Sequence, residues 1–152
     1  MNIEFYLREV TLEDAEILFK WRNESSTRNS SFNDNLIEYD SHLKWLSSTL
    51  NNPNIVFFIL ECNRNSVGQI RLNINSNVAE ISYSIGESFR GYGYGRKILT
   101  LIEDTVNKYF GNIVYLKALV KKENVVSSYL FKSLNYAEIE YNEYFEYKKC
   151  IR

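Results

Sequence analysis

The sequence predicts a mixed α/β domain around one mostly antiparallel sheet of about seven strands, flanked by about four helices. Three observations carry this. Strand-length apolar runs recur at Ile55–Cys62, 67–73 and Val78–Ile85. The turns between them, Asn63-Arg64-Asn65 and Asn75-Ser76-Asn77, are too short for crossovers, so the three runs form an antiparallel meander. On both sides of the meander lie segments with apolar residues at helical spacing, giving the order β-α-α-β-β-β-α-β-α-β-β.

Residues 3–10 read as the first strand. Thr11 then caps a helix, with Asp14 completing a capping box, and Ala15, Leu18, Phe19 and Trp21 supply its apolar stripe. The polar stretch 23–35 reads as a loop. A second helix covers Tyr39–Leu50, with Leu43, Leu46 and Leu50 on one face, and Asn51-Asn52-Pro53-Asn54 stops it. After the meander and a glycine segment comes a long helix to about residue 110, lined by Ile98, Leu99, Ile102 and Val106; Gly111-Asn112 reads as its C-cap. A strand at 114–120, a helix at 124–134 and a closing pair of strands within 137–150 complete the chain.

A chain of 152 residues is the length of a single domain, 1–152, with enough material for one core. Net charge is −1, which removes the electrostatic basis for binding nucleic acid or an acidic membrane. Two cysteines, Cys62 and Cys150, and one histidine, His42, offer neither a disulfide framework nor metal-ligand spacing, so no metal is expected. Met1-Asn2-Ile3-Glu4 lacks the pattern of a signal peptide, and residues 55–60, the longest apolar run, fall far short of a bilayer span. These features read as cytoplasmic.

Chemistry concentrates in Arg90-Gly91-Tyr92-Gly93-Tyr94-Gly95-Arg96, between a strand and a long helix. A helix N-terminus presents unpaired N–H groups and partial positive charge, glycines let the backbone approach a pyrophosphate, and Arg90 and Arg96 add charge at each end. The segment lacks the Gly-Lys-Ser/Thr ending of a nucleotide-hydrolysing loop. Its spacing is G-x-G-x-G, and the preceding strand closes a meander, which argues against a dinucleotide fold.

Residues 79–85 followed by Phe89-Arg90-Gly91-Tyr92-Gly93-Tyr94-Gly95 resemble the acetyl-CoA-binding signature of the GNAT N-acetyltransferase superfamily, Arg/Gln-x-x-Gly-x-Gly/Ala between a strand and a helix. Asn124-Val125-Val126-Ser127, then Leu130-Phe131, resembles the family's second motif. The resemblance spans essentially the whole chain and implies a sheet splayed between its fourth and fifth strands. It implies that acetyl-CoA is the co-substrate, its pyrophosphate held by Gly91, Tyr92, Gly93, Tyr94, Gly95 and Arg96. Its pantetheine arm would lie along Tyr83, Ser84 and Ile85, with Asn124, Ser127 and Phe131 across the wedge. A late strand pairing between subunits leaves room for a homodimer.

Amine acylation needs a neutral amine, so a carboxylate must take its proton. The resemblance places Glu80 at the base position, and strand alternation puts Glu80, Ser82 and Ser84 on one face, Ile81, Tyr83 and Ile85 on the other. A solvated strand-end carboxylate is the plain alternative. Many relatives carry a tyrosine as acid for the departing thiolate where this chain has Phe131; Tyr129 lies on another face of that helix, leaving no acid or a tyrosine from elsewhere, such as Tyr136 or Tyr144.

For the acceptor, Trp21-Arg22-Asn23, then Arg28, then His42-Leu43-Lys44-Trp45 resembles the amino-sugar-nucleotide N-acetyltransferases of the pseudaminic acid pathway, which acetylate the 4-amine of a UDP-linked 4-amino-4,6-dideoxy sugar. That assigns Arg22, Asn23, Arg28 and His42 to the substrate, with aromatics around Trp45 and Phe32 for stacking. The same residues also fit structural duties: Trp21 and Trp45 in a core, Arg22 as a helix C-terminal charge. A protein N-terminal acetyltransferase and a non-catalytic acetyl-CoA-binding module are the other two readings.

Overall fold

The computed structural model describes residues 2–152. Its elements are β1 (Phe5–Glu9), α1 (Ala15–Asn23), α2 (Ser25–Ser30), α3 (Tyr39–Leu50), β2 (Ile55–Cys62), β3 (Asn65–Asn75), β4 (Val78–Ile85), α4 (Tyr94–Tyr109), β5 (Tyr115–Lys121), α5 (Val125–Ser133), β6 (Ala137–Glu140) and β7 (Tyr144–Cys150). One seven-stranded sheet runs β1-β2-β3-β4-β5-β7-β6, antiparallel throughout except for the β4–β5 pair.

Alternation along the meander divides the core in two. Phe57 and Ile59 face α1 and α3 and join Val10, Ala15, Leu18, Trp21 and Leu46. Leu60, Ile70, Leu72 and Ile81 face the other way and pack with Ile98, Leu99, Ile102 and Val106 of α4 and Phe131 of α5. The expected apolar faces are thus the buried ones.

The β4–β5 pair sets the shape of the site. Its ladder spans only Val78↔Tyr115, Ala79↔Leu116 and Glu80↔Lys117. Beyond it β4 stays paired with β3 as far as Ile85, and β5 with β7 as far as Lys121. The facing edges of β4 and β5 therefore part, which is the splay that the resemblance implied.

Three local expectations need correction. The stretch read as a loop contains α2, whose Ser/Thr/Asn composition is a poor helix former. Tertiary contacts override propensity there: Thr27 is buried, and its hydroxyl accepts from Arg90 Nη2 at 3.1 Å. Thr11 does complete its capping box with Asp14, but the cap opens a 3-10 turn, Leu12–Asp14, ahead of α1. Gly111 is not among the glycines with positive φ. The end of α4 is instead held by Arg152, which donates to Val106 O at 3.2 Å, Asn107 O at 3.2 Å, Phe110 O at 2.6 Å and Ile113 O at 2.8 Å. A cation on the last carbonyls opposes the helix dipole.

Candidate functional site

A cavity of about 1420 Å³ begins at the glycine turn, follows the splay and continues under α1, α2 and α3. The turn comes first. Gly91 and Gly93 sit at φ +85 and +83, and no atom lies within 4 Å of where a Cβ would stand on either. These glycines supply backbone shape in open space. The first bond of α4 is Lys97 N–H to Gly93 O at 3.2 Å, and no side chain caps the helix. The N–H groups of Tyr94, Gly95 and Arg96 are left free for an anion. Gly95 does a different job: a Cβ there would meet Leu130 Cδ1 at 3.0 Å, so glycine lets α4 approach α5.

The two arginines of the turn are tied down. Arg90 donates from Nε to Ile85 O at 3.1 Å and from Nη2 to Thr27, joining the end of β4 to α2. Arg96 donates to Ser133 Oγ at 2.8 Å. Tyr92 is exposed and does not reach the cavity, whereas Tyr94 lines it, stacks on Tyr92 and accepts from the Cys62 thiol at 3.6 Å.

Across the splay, Asn124 caps α5, its Oδ1 accepting from Ser127 N–H at 3.2 Å. Ser127 Oγ lies 2.7 Å from the Tyr83 hydroxyl. Burial pushes the Tyr83 hydroxyl up, with Ser127 and Arg90 pulling weakly the other way, so it is protonated at neutral pH. Phe131 is buried, packed edge-on against Tyr83 at 6.0 Å and Tyr136 at 4.9 Å and stacked on Tyr147 at 5.5 Å. Tyr136 and Tyr144, the two tyrosines considered as replacement acids, are absent from the cavity wall; Tyr83 is on it.

The floor follows from register. Gln69 pairs with Ser84, Arg71 with Ser82 and Asn73 with Glu80, so these side chains share a face. Of them, Gln69, Arg71, Glu80, Ser82 and Ser84 line the cavity. Glu80 stands at the last rung before the splay, its Oε1 3.8 Å from Lys117 Nζ. Gln69 donates to Ser84 Oγ at 3.0 Å, and its Oε1 is buried without a partner.

The acceptor residues separate in the fold. Arg22 lines the cavity, with Nη2 donating to Asn33 O at 2.7 Å and Nη1 buried and unpartnered. Burial lowers its pKa, and Arg28 adds to the effect. Arg28 itself stands behind the wall, its Nε also buried without a partner. Asn23 is off the wall too: its amide donates to Ile37 O at 3.0 Å and accepts from Ile37 N–H at 2.9 Å, clamping the loop over the cavity. His42 touches the cavity but is only 2% exposed, and its Nε2 donates to Ala15 O at 3.0 Å. Burial, reinforced by Arg22, lowers its pKa despite that bond. Trp21 and Trp45 both line the cavity, Trp21 buried in the core and Trp45 41% exposed.

Arg71 was not singled out from the sequence. Its guanidinium lies 5.1 Å from the Trp45 ring centroid and 5.8 Å from that of Phe57. The signal was present: the turn after Asn75 pairs it with Val78, and counting back sets Arg71 opposite Ser82, two places from Glu80 on the same face. Among the described residues no group of His, Cys, Asp and Glu is arranged for a metal, and no helix is long and apolar enough to cross a membrane.

Solved structures repeat this architecture. A domain from Methanocaldococcus jannaschii matches with a TM-score of 0.84 at 22% identity, over 98% of this chain and 99% of that one. Spermidine N-acetyltransferase from Vibrio cholerae, in complex with CoA and spermine, gives 0.88 at 17% identity, over 96% and 95%. An acetyltransferase from Salmonella typhimurium that modifies the N-terminal serine of ribosomal protein L7/L12 gives 0.82 at 16%, over 99% and 100%. At these identities the likeness is one of fold. No curated protein sequence is significantly similar. The model of the acetyltransferase (GNAT) domain matches residues 4–136. With most of its length inside that match, and with the glycine turn and the splayed strands in place, the chain belongs to the GNAT acetyltransferases, the enzymes that move an acetyl group from acetyl-CoA to nitrogen.

Proposed function

We propose that this protein acetylates the primary amine of a small acceptor, the 4-amine of a UDP-linked 4-amino-4,6-dideoxy sugar. One observation carries the reading: a single cavity joins the free N–H groups of α4 to the unpaired edges of β4 and β5, then to Glu80 and a wall of Arg22, Arg71 and Trp45. The residues present fit acetyl-CoA. Gly91, Gly93 and the N–H groups of Tyr94, Gly95 and Arg96 would hold its pyrophosphate. The edge of Tyr83, Ser84 and Ile85 that faces away from β3, where Ile85 O already accepts from Arg90, would hold its pantetheine amides as an added strand is held. Bound there, it supplies an activated acetyl thioester.

The protein's residues manage two protons. Glu80 takes one from the acceptor ammonium, directly or through water, leaving the nitrogen lone pair free to attack. The Tyr83 hydroxyl, held by Ser127, gives one to the departing sulfur, a role that Phe131 lacks the atoms for, and the second proton that the nitrogen sheds as the amide forms passes through water to the Tyr83 phenolate. A backbone N–H near Ile85 polarises the carbonyl. His42 and Asn23 act by shaping the acceptor wall: His42 through α1, Asn23 through the loop at Ile37.

The test is free-thiol release from acetyl-CoA with the UDP-amino sugar and with N-terminal peptides. Release with the sugar alone supports this reading. Release with peptides alone moves the assignment to protein acetylation. Silence with every amine, despite tight acetyl-CoA binding, favours a binding module, the reading that buried Phe131 sustains.

A further inference from the structure

Three guanidiniums gather around the acceptor part of the cavity, Arg22 and Arg71 on its wall and Arg28 behind it, with Arg22 near enough to repel each of the other two. They come from α1 (Arg22), α2 (Arg28) and β3 (Arg71), and none is ion-paired among the described residues. The ion pairs that are present use Arg8, Lys117, Lys122, Lys132 and Lys149 instead. Arg71 makes no hydrogen bond to any described side chain or backbone group; its plane is held by Trp45 and Phe57. Buried nitrogens of Arg22 and Arg28 are also unpartnered. Burial lowers the pKa of Arg71 first, Arg22 adds to it, and Glu80 opposes it.

Removing guanidiniums from water without a counter-charge is costly, and placing them where they repel adds to the cost. Such a cluster persists where an anion completes it. We propose that Arg71, backed by Arg22 and Arg28, is an anion-binding site that selects acceptors carrying a phosphate or carboxylate near the reacting amine. Arg71 is a diagonal cross-strand neighbour of Glu80, about 7–8 Å away between strands. A single pyranose ring between amine and anion covers that span. Trp45, covered on its ring by Arg71 but still partly exposed, offers apolar surface for the ring or base.

The cluster also rejects an acceptor class. The cavity wall carries four guanidiniums, Arg22, Arg71, Arg90 and Arg96, against two carboxylates, Glu80 and Glu123. A polyamine meets like charge where it needs carboxylates. The inference rests on the proposed acyl transfer for Glu80's role, but not on which anionic amine is the acceptor.

Calorimetry on protein saturated with CoA tests it, because CoA occupies the glycine turn and leaves only the second site for an anion. The probes are UDP, inorganic pyrophosphate and spermidine. UDP or pyrophosphate is expected to bind and spermidine not to. Arg71→Gln should weaken anion binding about 10- to 100-fold, the loss of one charge-assisted pair. Arg71→Lys should restore part of it, and Lys44→Gln on the exposed face of α3 should change nothing. No anion binding to the CoA-saturated protein, equal binding by Arg71→Gln, or preferential binding of spermidine overturns the proposal. If Arg71→Gln does not fold, a parent affinity for UDP that fails to fall with added salt overturns it equally. Arg71-dependent UDP binding without acetylation of a UDP-amino sugar removes the proposed acceptor and leaves the anion site standing.

Discussion

Replacing Gly93 by alanine isolates the conformational work of the glycine turn. At φ +83 an L-residue is disfavoured by about 1–2 kcal/mol. No atom lies within 4 Å of the new Cβ, so there is no clash to add. The free protein can relieve the strain by letting residue 93 move to negative φ, which limits the fall in Tm to at most about 2–8 °C for a chain of this size. Relief misaligns the N–H groups of Tyr94 and Gly95, and restoring them when CoA binds costs the same about 1–2 kcal/mol. Affinity should therefore drop about 5- to 30-fold. Gly91→Ala, at φ +85 and equally open, should behave alike. Gly95→Ala should differ, because its Cβ presses on Leu130 at 3.0 Å; overpacking of this kind costs about 1–3 kcal/mol, and stability should suffer before affinity does. Calorimetric titration with CoA beside a thermal melt separates the two patterns. A Gly93→Ala protein that melts lower yet binds CoA like the parent would show that the turn is only a corner in the chain.

Four further outcomes follow from the geometry. Tyr83→Phe should lower kcat about 10- to 100-fold, with KM for acetyl-CoA near the parent's; an unchanged kcat removes Tyr83 as proton donor. Glu80→Gln should slow turnover most at low pH, where the acceptor is protonated and needs a base, and a parent-like pH profile takes Glu80 out of the mechanism. Arg152→Ala leaves the last carbonyls of α4 unbonded and should cost about 2–3 kcal/mol, read as a fall in Tm of about 4–12 °C; an unaltered melt would show that solvent satisfies them equally well. Asp14 is opposed by burial, but Arg8 and the Thr11 N–H outweigh it and hold the carboxyl below its ordinary 3.8. A carboxyl whose folded pKa is depressed gives stability that is present above the unfolded value and lost as pH falls through the folded one. Urea unfolding should therefore show an acid-labile component below about pH 4 that Asp14→Asn lacks, and an identical acid profile in the variant would contradict the assignment.

What the sequence made legible was what periodicity and short turns encode. Strand alternation put Glu80, Ser82 and Ser84 on one face, and the fold keeps them there as the cavity floor. Three glycines between a strand and a long helix marked the turn, and two of them, Gly91 and Gly93, carry positive φ. What stayed hidden depends on contacts across the chain. Asn23 looked like a substrate ligand because its motif is shared; only the folded loop shows its amide spent on Ile37. A helix from Ser25 to Ser30 has no apolar stripe to announce it, since Arg90, from beyond β4, holds it. Gly111 carried a C-cap signal, yet the cap came from Arg152.

Charge shows the same division more sharply. A net charge of −1 removes the overall electrostatic basis for binding nucleic acid, but a sum cannot say where charges converge. Seven of the nineteen acidic side chains are in ion pairs, among them Glu61 and Asp14 with Arg8, Glu146 with Lys117 and Glu103 with Lys149, and none of the seven pairs with Arg22, Arg28 or Arg71. That leaves Arg22 and Arg71 without an ion-pair partner on the acceptor part of the wall, with Arg28 behind them, while Arg96 lines the cavity beside the glycine turn. The two ends then ask for two anions held apart by Glu80, the one carboxylate on the floor between them. A donor bringing a pyrophosphate to one end and an acceptor bringing its own anion to the other would be aligned by charge before the amine and thioester meet. The carboxylate between the anions would draw the acceptor's ammonium to the one point where an amine is wanted and stand ready to take its proton.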